Sequence, residues 1–282
     1  MSIIFQFRDK SISWSHGARI MGILNATPDS FSDGGLHLNL DHLTKTARQM
    51  IEDGANILDI GGESSRPGAT PVDVAEEIRR VVPAIKAIRS FSRIPISIDT
   101  VKPEVALASL RAGAEIINDI QGMTNPQMRE IAVKEGAGVA IMHMQGNPQS
   151  MQIAPAYDNV LDEVAYFLTT QAKLLISMGL PSQNILIDPG IGFGKTQENN
   201  LSLIRGLPVL AQIGFPILFG VSRKSLIGNL TGKPVSDRLA GTLAANAFAV
   251  SLPTVVKQGL VLRVHDVGPT RDLVKVWEGL GT

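Results

Sequence analysis

The 282-residue sequence contains no cysteine, and this absence excludes several kinds of chemistry at once. Disulfide bonds, thiol nucleophiles and cysteine-ligated zinc sites cannot form. The five histidines show no spacing that would pair two zinc ligands on one helix face, so we do not expect a zinc enzyme. The lack of cysteine is also consistent with a cytoplasmic protein, and we expect that location.

The chain also lacks an excess of charge of either sign, since 26 Lys and Arg residues balance 26 Asp and Glu residues. Such a surface has no net field that would attract nucleic acid or an anionic membrane, and we expect neither partner. Any bound anion must therefore be held by a few well-placed cations. The longest weakly polar tract, residues 244–256, contains Asn246 and Pro253 and is too short to span a bilayer.

After the first twenty residues, short apolar runs typical of buried strands alternate with stretches of helical periodicity, such as Asp41 to Asp53 and Asp158 to Met178. The predicted strands are Ile20–Leu24, Ile57–Ile60, Pro95–Ile98, Ile116–Ile117, Val139–Met142, Ile185–Ile187, Pro216–Val221 and Leu260–Val264. This alternation predicts an α/β fold, a (β/α)8 TIM barrel, with a doubly wound sheet as the alternative. We expect one domain over residues 1–282, in which residues 1–16 form an N-terminal β-hairpin.

A polar residue ends or follows each predicted strand. These residues are Asn25, Asp59, Asp99, Asn118, His143, Asp188, Ser222 and Arg263. In a barrel the carboxyl ends of all strands converge on one mouth, whereas a doubly wound sheet brings only the central few together. Asp188 is the clearest case, because a carboxylate that ends a buried strand loses hydration unless hydrogen-bond donors meet it. We interpret it as a ligand anchor; capping of the following loop is the alternative.

Cations cluster near the last two predicted strands. Ser222-Arg223-Lys224 follows the seventh strand, and Arg263 and His265 share one face of the eighth because strand side chains repeat every two residues. An arginine and a histidine in that arrangement suit a phosphate group. Two loops rich in Gly, Ser and Asp, residues 27–35 and 61–68, are predicted at the same end of the barrel. We expect them to close over the site.

Eight motifs, in order along the chain, resemble those of the dihydropteroate synthases, a family of pterin-binding TIM barrels. The motifs are Asn25-Ala-Thr-Pro-Asp-Ser-Phe-Ser-Asp-Gly-Gly35, Asp59-Ile-Gly-Gly-Glu-Ser-Ser-Arg-Pro-Gly68, Ile98-Asp-Thr100, Asn118-Asp-Ile120, Met142-His-Met-Gln-Gly146, Asp188-Pro-Gly-Ile-Gly-Phe-Gly-Lys195, Ser222-Arg-Lys-Ser225 and Arg263-Val-His-Asp266. The match covers nearly the whole chain after residue 20. It implies a homodimer of bacterial folate synthesis. The implied reaction joins p-aminobenzoate to 6-hydroxymethyl-7,8-dihydropterin diphosphate and gives 7,8-dihydropteroate and pyrophosphate.

Carried over by motif, the resemblance assigns roles to individual residues. The pterin site would comprise Asp99, Asn118, Met142, Asp188, Lys224 and Arg263. The diphosphate would be bound by Asn25, Ser65, Arg66, Arg263 and His265, and Mg²⁺ by the amide oxygen of Asn25. The p-aminobenzoate site would comprise Phe31, Ser65, Pro67, Phe193, Ser222 and Lys224. Among these, the catalytic residues would be Asp99, Lys224 and Arg263.

The mechanism that the resemblance implies is dissociative. Magnesium and cationic side chains would stabilise the charge on the departing diphosphate, and the aromatic amine would attack without a strong base. The chain departs from the family pattern in two places. Ser64-Ser65-Arg66 stands where Ser-Thr-Arg is commoner, and the segment 238–263 is longer than usual. We expect Pro253 to end a helix over Val235–Ser251.

Three other functions remain open at the level of sequence. A pterin-binding methyltransferase-type barrel would share the Asp and Asn residues that bind the pterin. A Schiff-base aldolase would use Lys224 as its nucleophile. A non-catalytic pterin-binding homologue would be expected to lack some of the loop or cation residues, which are present here. Inhibition by sulfonamides, which mimic p-aminobenzoate, depends on side chains around Phe31, Ser65 and Pro67.

Overall fold

A computed structural model of the chain describes residues 3–14, 17–26, 36–64, 70–146 and 151–281. The first element is an antiparallel hairpin of β1 (Ile3–Phe7) and β2 (Lys10–Trp14). Eight parallel strands follow and form a closed barrel in the order β10-β3-β4-β5-β6-β7-β8-β9. They are β3 (Arg19–Asn25), β4 (Ile57–Gly61), β5 (Ile96–Asp99), β6 (Ile116–Asp119), β7 (Gly138–Met142), β8 (Ile185–Asp188), β9 (Ile217–Phe219) and β10 (Leu260–Val264).

The closure of the barrel confirms the predicted fold and rules out the doubly wound sheet. Strand β10 pairs with β9 on one side and with β3 on the other, so the barrel has no free edge. All eight predicted strands match the observed ones within two residues at each end. The prediction Pro216–Val221 is too long, because β9 comprises only Ile217–Phe219.

Eleven helices occur in the described part of the chain, and most of them lie between successive strands. They are α1 (Leu36–Glu52), α2 (Val74–Arg89), α3 (Pro103–Ala112), α4 (Pro126–Glu135), α5 (Val160–Ser177), α6 (Gln197–Arg205), α7 (Leu207–Ala211), α8 (Ser225–Thr231), α9 (Leu239–Val250), α10 (Pro253–Gln258) and α11 (Val267–Gly279). The two helices predicted over Asp41–Asp53 and Asp158–Met178 are confirmed as α1 and α5. None of the described helices is long and apolar enough to cross a membrane.

The predicted helix Val235–Ser251 is wrong at its start. Residues Val235–Asp237 form a short 3-10 turn, and α9 begins only at Leu239. The guanidinium of Arg238 donates to the backbone carbonyls of Lys233 and Arg223 at this break. Pro253 does not merely end a helix, because it occupies the first turn of α10, where proline is tolerated since no intrahelical N–H partner is needed there.

The hairpin closes the amino-terminal end of the barrel. Phe5 and Phe7 are fully buried, and with Trp14 they pack against a ring of side chains from the first halves of the barrel strands. The ring comprises Met21, Ile57, Ile116, Ala140, Leu186, Leu218 and Val261. The hairpin is also fixed by hydrogen bonds, from the Arg8 N–H to the Gly136 carbonyl (2.7 Å) and from Trp14 Nε1 to the Leu260 carbonyl (3.1 Å). The polar strand ends therefore face the opposite, open end.

Candidate active site

The carboxyl ends of β4, β5, β6 and β10 meet in a network around Arg263. Its Nε donates to Asp59 Oδ2 at 2.6 Å, and its Nη2 donates to Asp99 Oδ2 at 2.7 Å. Asn118 Nδ2 donates to the same Asp59 oxygen at 3.1 Å. Arg263 keeps 18% of its side-chain surface exposed, so a ligand in the mouth can reach it. The structure thus brings together three of the residues predicted to contact the pterin.

Asp59 is the residue of this network to which the sequence assigned no role. It is fully buried inside β4, and its Oδ1 has no hydrogen-bond partner among the described residues. Its Oδ2 accepts hydrogen bonds from both Arg263 and Asn118, so Asp59 fixes the orientation of both side chains. One feature of the sequence could have indicated this role. An aspartate within an apolar strand is unfavourable to bury unless its charge is paired, so Asp59 required a partner.

The charges of this network shift one another's pKa values. Burial alone would lower the pKa of Arg263, but Asp59 and Asp99 raise it above its ordinary value, so Arg263 stays cationic. Burial raises the pKa of Asp99; the nearby carboxylates of Asp59 and Glu77 add to the rise, and Arg263 opposes it. The mouth therefore contains a permanent cation beside a carboxyl group whose charge depends on its neighbours.

The carboxyl end of β8 carries the predicted ligand anchor. Asp188 is buried, and its Oδ1 accepts a hydrogen bond from the Gly190 N–H at 2.7 Å. No other described residue is hydrogen-bonded to this carboxylate, so a ligand with adjacent N–H donors can still bind to it. Burial raises the pKa of Asp188, while the cations Lys224 and Arg263 oppose the rise.

Lys224 lies against the loop after β8. Its Nζ donates to the Ile191 carbonyl at 2.5 Å and lies 4.5 Å from the centre of the Phe193 ring, in a cation–π arrangement. Its stem passes Gly192, where an added Cβ would lie only 3.2 Å from Lys224 Cδ. Burial lowers the pKa of Lys224 to about 8, and Asp188 opposes that shift. The contact with Phe193 connects two residues predicted for the p-aminobenzoate site.

Ser222 and His265 form a second pair at the ends of β9 and β10. Ser222 Oγ lies 3.0 Å from His265 Nδ1 and accepts a hydrogen bond from the His265 N–H at 3.2 Å. Between Ser222 and Lys224, Arg223 adopts a positive φ of 56° and directs both arms of its guanidinium to Asp266. Arg223 thereby links the end of β9 to the end of β10, while Ser222 and Lys224 on either side of it lie at the mouth.

Asn25 and Met142 occupy opposite sides of the mouth. Asn25 ends β3, is exposed, and is paired in register with Gly61 of β4. Its amide oxygen is a hard ligand of the kind that Mg²⁺ prefers. In the described part of the chain, no group of three or more His, Asp or Glu side chains could hold a metal ion. Met142 is buried in an apolar cluster with Ile120, Met151 and Phe193, which forms one wall of the mouth.

Four of the predicted site residues lie outside the described residues. They are Phe31, Ser65, Arg66 and Pro67, in the two predicted closing loops. The remaining ten lie at the carboxyl ends of the barrel strands or in the segments that follow them: Asn25, Asp99, Asn118, Met142, Asp188, Phe193, Ser222, Lys224, Arg263 and His265. The mouth therefore combines carboxylate and amide acceptors on one side with lysine, arginine and histidine on the other. Such a site suits a flat molecule with N–H donors that carries an anionic group.

Lys195, at the end of the β8 loop, received no role from the sequence. Its Nζ is buried and donates to the Phe193 carbonyl at 2.9 Å and the His143 carbonyl at 3.1 Å, and it lies 3.1 Å from His143 Nδ1. Burial lowers the pKa of Lys195 to about 7 and the pKa of His143 to about 3. The imidazole is therefore neutral near pH 7.

Comparison with known proteins agrees with this geometry. A family model described as "Pterin binding enzyme" matches residues 21–261. The dihydropteroate synthase of Escherichia coli (strain K12) is 45% identical over 268 residues, which cover 95% of this chain and 93% of that protein. The family model thus covers most of the barrel, and the relative covers nearly all of this chain.

Two solved structures from Xanthomonas albilineans are similar along their whole length. A dihydropteroate synthase with 4-aminobenzoic acid superposes with a TM-score of 0.90 at 40% identity, covering 99% of this chain and 98% of that one. A dihydropteroate synthase in complex with 7,8-dihydropteroate has a TM-score of 0.86 at 38% identity, covering 98% of both chains.

Proposed function

The chain belongs to the dihydropteroate synthase family of pterin-binding enzymes, and on that premise we propose that its barrel mouth joins p-aminobenzoate to 6-hydroxymethyl-7,8-dihydropterin diphosphate. The products are 7,8-dihydropteroate and pyrophosphate. One observation carries most of the proposal: Asp99, Asn118 and Asp188 offer acceptors at the same mouth where Lys224 and Arg263 supply positive charge.

The pterin ring would bind to the acceptors. The aminopyrimidinone part of a pterin presents adjacent N–H donors, and a carboxylate can accept two of them in a fork. Asp188 fits this role because only Gly190 donates to it among the described residues. Asp99 and Asn118 would bind further polar atoms of the ring, and Met142 would pack against it. Arg263, held by Asp59 and Asp99, would lie between the ring and the diphosphate.

The diphosphate would be held at the β3 and β10 side of the mouth by Asn25, Arg263 and His265, with Ser65 and Arg66 from the second loop. Mg²⁺, held by the Asn25 amide oxygen and by oxygens of the substrate, would supply positive charge that stabilises the leaving group. Asn25 is exposed at the end of its strand, which supports this role. Arg263 supplies charge of its own, since its pKa is raised and it cannot lose its proton near neutral pH.

Catalysis would rest on positioning and charge rather than on a covalent intermediate. The bond between the pterin methylene carbon and the diphosphate oxygen breaks, and its electron pair leaves with the diphosphate. The amine nitrogen of p-aminobenzoate forms the new bond to that carbon and then releases a proton. Phe193, Ser222 and Lys224 would form the described side of the p-aminobenzoate site, with Phe31, Ser65 and Pro67 from the two loops completing it.

The decisive experiment measures products from the purified protein. Dihydropterin diphosphate and Mg²⁺ are supplied with and without p-aminobenzoate, and pyrophosphate is quantified while dihydropteroate is identified by mass. We expect pyrophosphate release matched by dihydropteroate. Tight pterin binding without product would instead indicate a binding-only homologue or a methyltransferase-type barrel, and both would contradict the proposal.

The magnesium site is tested separately. Removing divalent ions with a chelator should reduce pyrophosphate release, and adding Mg²⁺ should restore it. Calorimetry gives a second readout: Mg²⁺ should strengthen binding of inorganic pyrophosphate to the wild-type protein, and this effect should be lost in Asn25→Ala. An equal effect of Mg²⁺ on both proteins would show that Asn25 does not hold the ion.

We further propose that the protein works in the cytoplasm as a homodimer. Helix α9 packs against both α8 and α11, and large apolar side chains are exposed on these three helices and directly after α11: Leu230, Phe248, Val276 and Leu280. A second copy that covered them would remove this apolar surface from water. Light scattering should give twice the chain mass, and Phe248→Glu should shift the protein toward the monomer. A wild-type monomer at micromolar concentration would contradict the proposal.

A further inference from the structure

The backbone of the β8 loop is held by side chains at four consecutive carbonyls. Lys224 donates to Ile191, Gln152 to Gly192 (2.7 Å), Lys195 to Phe193 and Tyr157 to Gly194 (2.7 Å). The Gly192 N–H in turn donates to Asn200 Oδ1 at 2.6 Å. These bonds restrict the backbone of residues 191–194 and thereby help to determine where the Phe193 ring lies.

Lys195 is the donor at the centre of this arrangement. Of its side-chain surface almost nothing is exposed, and its ammonium group has three acceptors around it: the carbonyls of Phe193 and His143 and the Nδ1 of His143. None of the three is an acid. Burial disfavours the charged ammonium group, and its hydrogen bonds together with the nearby Asp188 carboxylate compensate for part of the lost hydration.

The ammonium group joins two loops whose backbones already touch. An added Cβ at Gly190 would lie 1.9 Å from the His143 carbonyl oxygen, and one at Gly194 would lie 2.4 Å from the Gln145 carbonyl oxygen. The loops after β7 and β8 therefore approach as closely as backbone allows. The carbonyl oxygens of His143 and Phe193, one from each loop, both accept a hydrogen bond from the Lys195 Nζ.

We propose that Lys195 is a positioning residue for the p-aminobenzoate half of the reaction. It holds the Phe193 carbonyl, and through it keeps the Phe193 ring against the ammonium group of Lys224. The inference rests on the proposed function, because it assigns a role within that same site. His143 supports Lys195 as a neutral acceptor at Nδ1, which places the ring proton on Nε2.

The residues proposed to bind the pterin have few contacts with the β8 loop that Lys195 holds. The anchors of the pterin ring on β5 and β6, Asp99 and Asn118, contact Asp59 and Arg263 rather than the β8 loop. Asp188 ends strand β8 and keeps its own bond to Gly190; the charge of Lys195 also acts on it, but less than the charges of Lys224 and Arg263 do. Loss of the Lys195 ammonium should therefore displace Phe193 and Lys224 more than it displaces the pterin anchors.

The test uses Lys195→Met, which keeps most of the side-chain volume and removes the donors. We expect the KM for p-aminobenzoate to rise or kcat/KM for it to fall by about ten- to a hundredfold, because a buried carbonyl pair loses its donor. The calorimetric Kd of the pterin diphosphate should change by no more than about twofold. Lys195→Gln, which keeps two N–H donors, should recover part of the lost kcat/KM.

Lys173→Met, a change of the same type at an exposed position of α5, is the matched control and should behave as the wild type. Wild-type kinetics in Lys195→Met would overturn the inference. So would equal losses for both substrates, no recovery by Lys195→Gln, or unfolding of both variants, since each would show a general structural role. If the wild-type protein itself forms no dihydropteroate, it is the proposed function that fails.

Discussion

At the scale of single residues, the buried carboxylate of Asp59 helps to orient the side chain of Arg263. Asp59 accepts from Arg263 and Asn118 with one oxygen and is shielded from solvent. Its charge also helps to keep the pKa of Arg263 raised. We therefore expect Asp59 to contribute to ligand binding through Arg263 and Asn118, without a contact to the ligand.

Replacing Asp59 by Asn tests that contribution. The change keeps the shape and removes the charge, so Arg263 would keep only Asp99 as its carboxylate partner. We expect kcat/KM for the pterin substrate to fall about ten- to a hundredfold, because truncating one member of a buried charged pair costs on the order of 2–3 kcal/mol. Steady-state kinetics measure the effect, and exposed Asp272→Asn is the control. Unchanged kinetics would show that Asp99 alone suffices.

Replacing Asp188 by Ala tests the ligand anchor. The donor edge of the pterin would be left without its acceptor, and we expect binding to become too weak to detect by calorimetry. Asp158→Ala removes an exposed carboxylate from a residue outside the mouth and should leave the affinity unchanged. Near-normal binding by the Asp188 variant would contradict the role of the anchor.

Asp119 should make stability depend on pH. It is buried behind the mouth and accepts hydrogen bonds from the N–H groups of Gln121 and Met123, yet burial raises its pKa to about 6. A carboxyl group with a raised pKa stabilises the fold at low pH, and this contribution is lost as the pH rises through about 6. Relative to wild type, Asp119→Asn should therefore gain up to about 3 kcal/mol of unfolding free energy between about pH 4 and pH 7.

Urea denaturation of both proteins across this range measures the effect. The difference between the two proteins is the quantity to follow, because His143 gives the opposite trend in the same range: its pKa is lowered to about 3. Both proteins carry His143, so its contribution cancels. A difference that stays constant with pH would show that Asp119 is not protonated in this range.

The position of a polar residue in the fold could be predicted from the sequence where the neighbouring residues alone determine it. Asp188 and Asn118 could be predicted because each ends an apolar run, and the run alone determines that they reach the open end of the barrel. Asp59 and Lys195 could not be assigned a role in this way. Asp59 and Arg263 are separated by 204 positions in sequence, and Lys195 and His143 by 52 positions, so only the folded barrel brings these groups together.

At the scale of elements, the β8 loop depends on glycine for two different reasons. Gly190 and Gly194 have positive φ values of 67° and 61°, which residues with side chains rarely adopt. They also lie where no Cβ fits, whereas Gly136 has a φ of 60° and open space around it. The chain therefore contains a matched pair of positions that separates backbone strain from steric exclusion.

The substitutions Gly190→Ala and Gly136→Ala compare the two effects. For Gly136→Ala we expect a loss of about 1 kcal/mol of unfolding free energy and unchanged kinetics, because only the φ preference is violated. For Gly190→Ala we expect a larger loss of stability and a fall in kcat/KM, because the new methyl group collides with the His143 carbonyl. Chemical denaturation and kinetics measure both. Equal effects of the two changes would show that the loops can separate freely.

The prediction of elements succeeded where periodicity was strong and failed where backbone geometry intervened. Helix α5 matches its amphipathic pattern almost from end to end. The start of α9 was wrong because Arg238 bonds to the carbonyls of Lys233 and Arg223, a tertiary contact that no local pattern encodes. Strand β9 is shorter than its apolar run because the chain turns after Phe219 to place Ser222 and Arg223.

At the scale of the whole molecule, the hairpin and the predicted site residues lie at opposite ends of the barrel. The hairpin residues Phe5 and Phe7 fill the amino-terminal end, whereas the predicted site residues lie at the carboxyl end. The aromatic side chains of the hairpin contribute buried apolar area that the strands alone would expose. Changes in the hairpin should therefore affect the folding equilibrium without affecting the site.

Phe5→Ala tests this separation. We expect a loss of about 3–5 kcal/mol of unfolding free energy, because a fully buried ring is replaced by a cavity. At a temperature where the variant is still folded, its KM values should equal those of the wild type. Ile4→Ala, at an exposed position of the same strand, should cost much less. A raised KM in the Phe5 variant would show that the two ends are coupled.

Because Arg263 is translated long after Asp59 and Asp99, its ion pairs with them can form only late in the synthesis of the chain. Asp59 and Asp99 emerge from the ribosome early, whereas Arg263 belongs to β10, the strand that closes the barrel by pairing with β3. Until then the two carboxylates have no guanidinium partner and repel each other. A nascent chain that ends before residue 260 would therefore lack the binding site, and the onset of pterin binding during translation would report the moment at which the barrel closes.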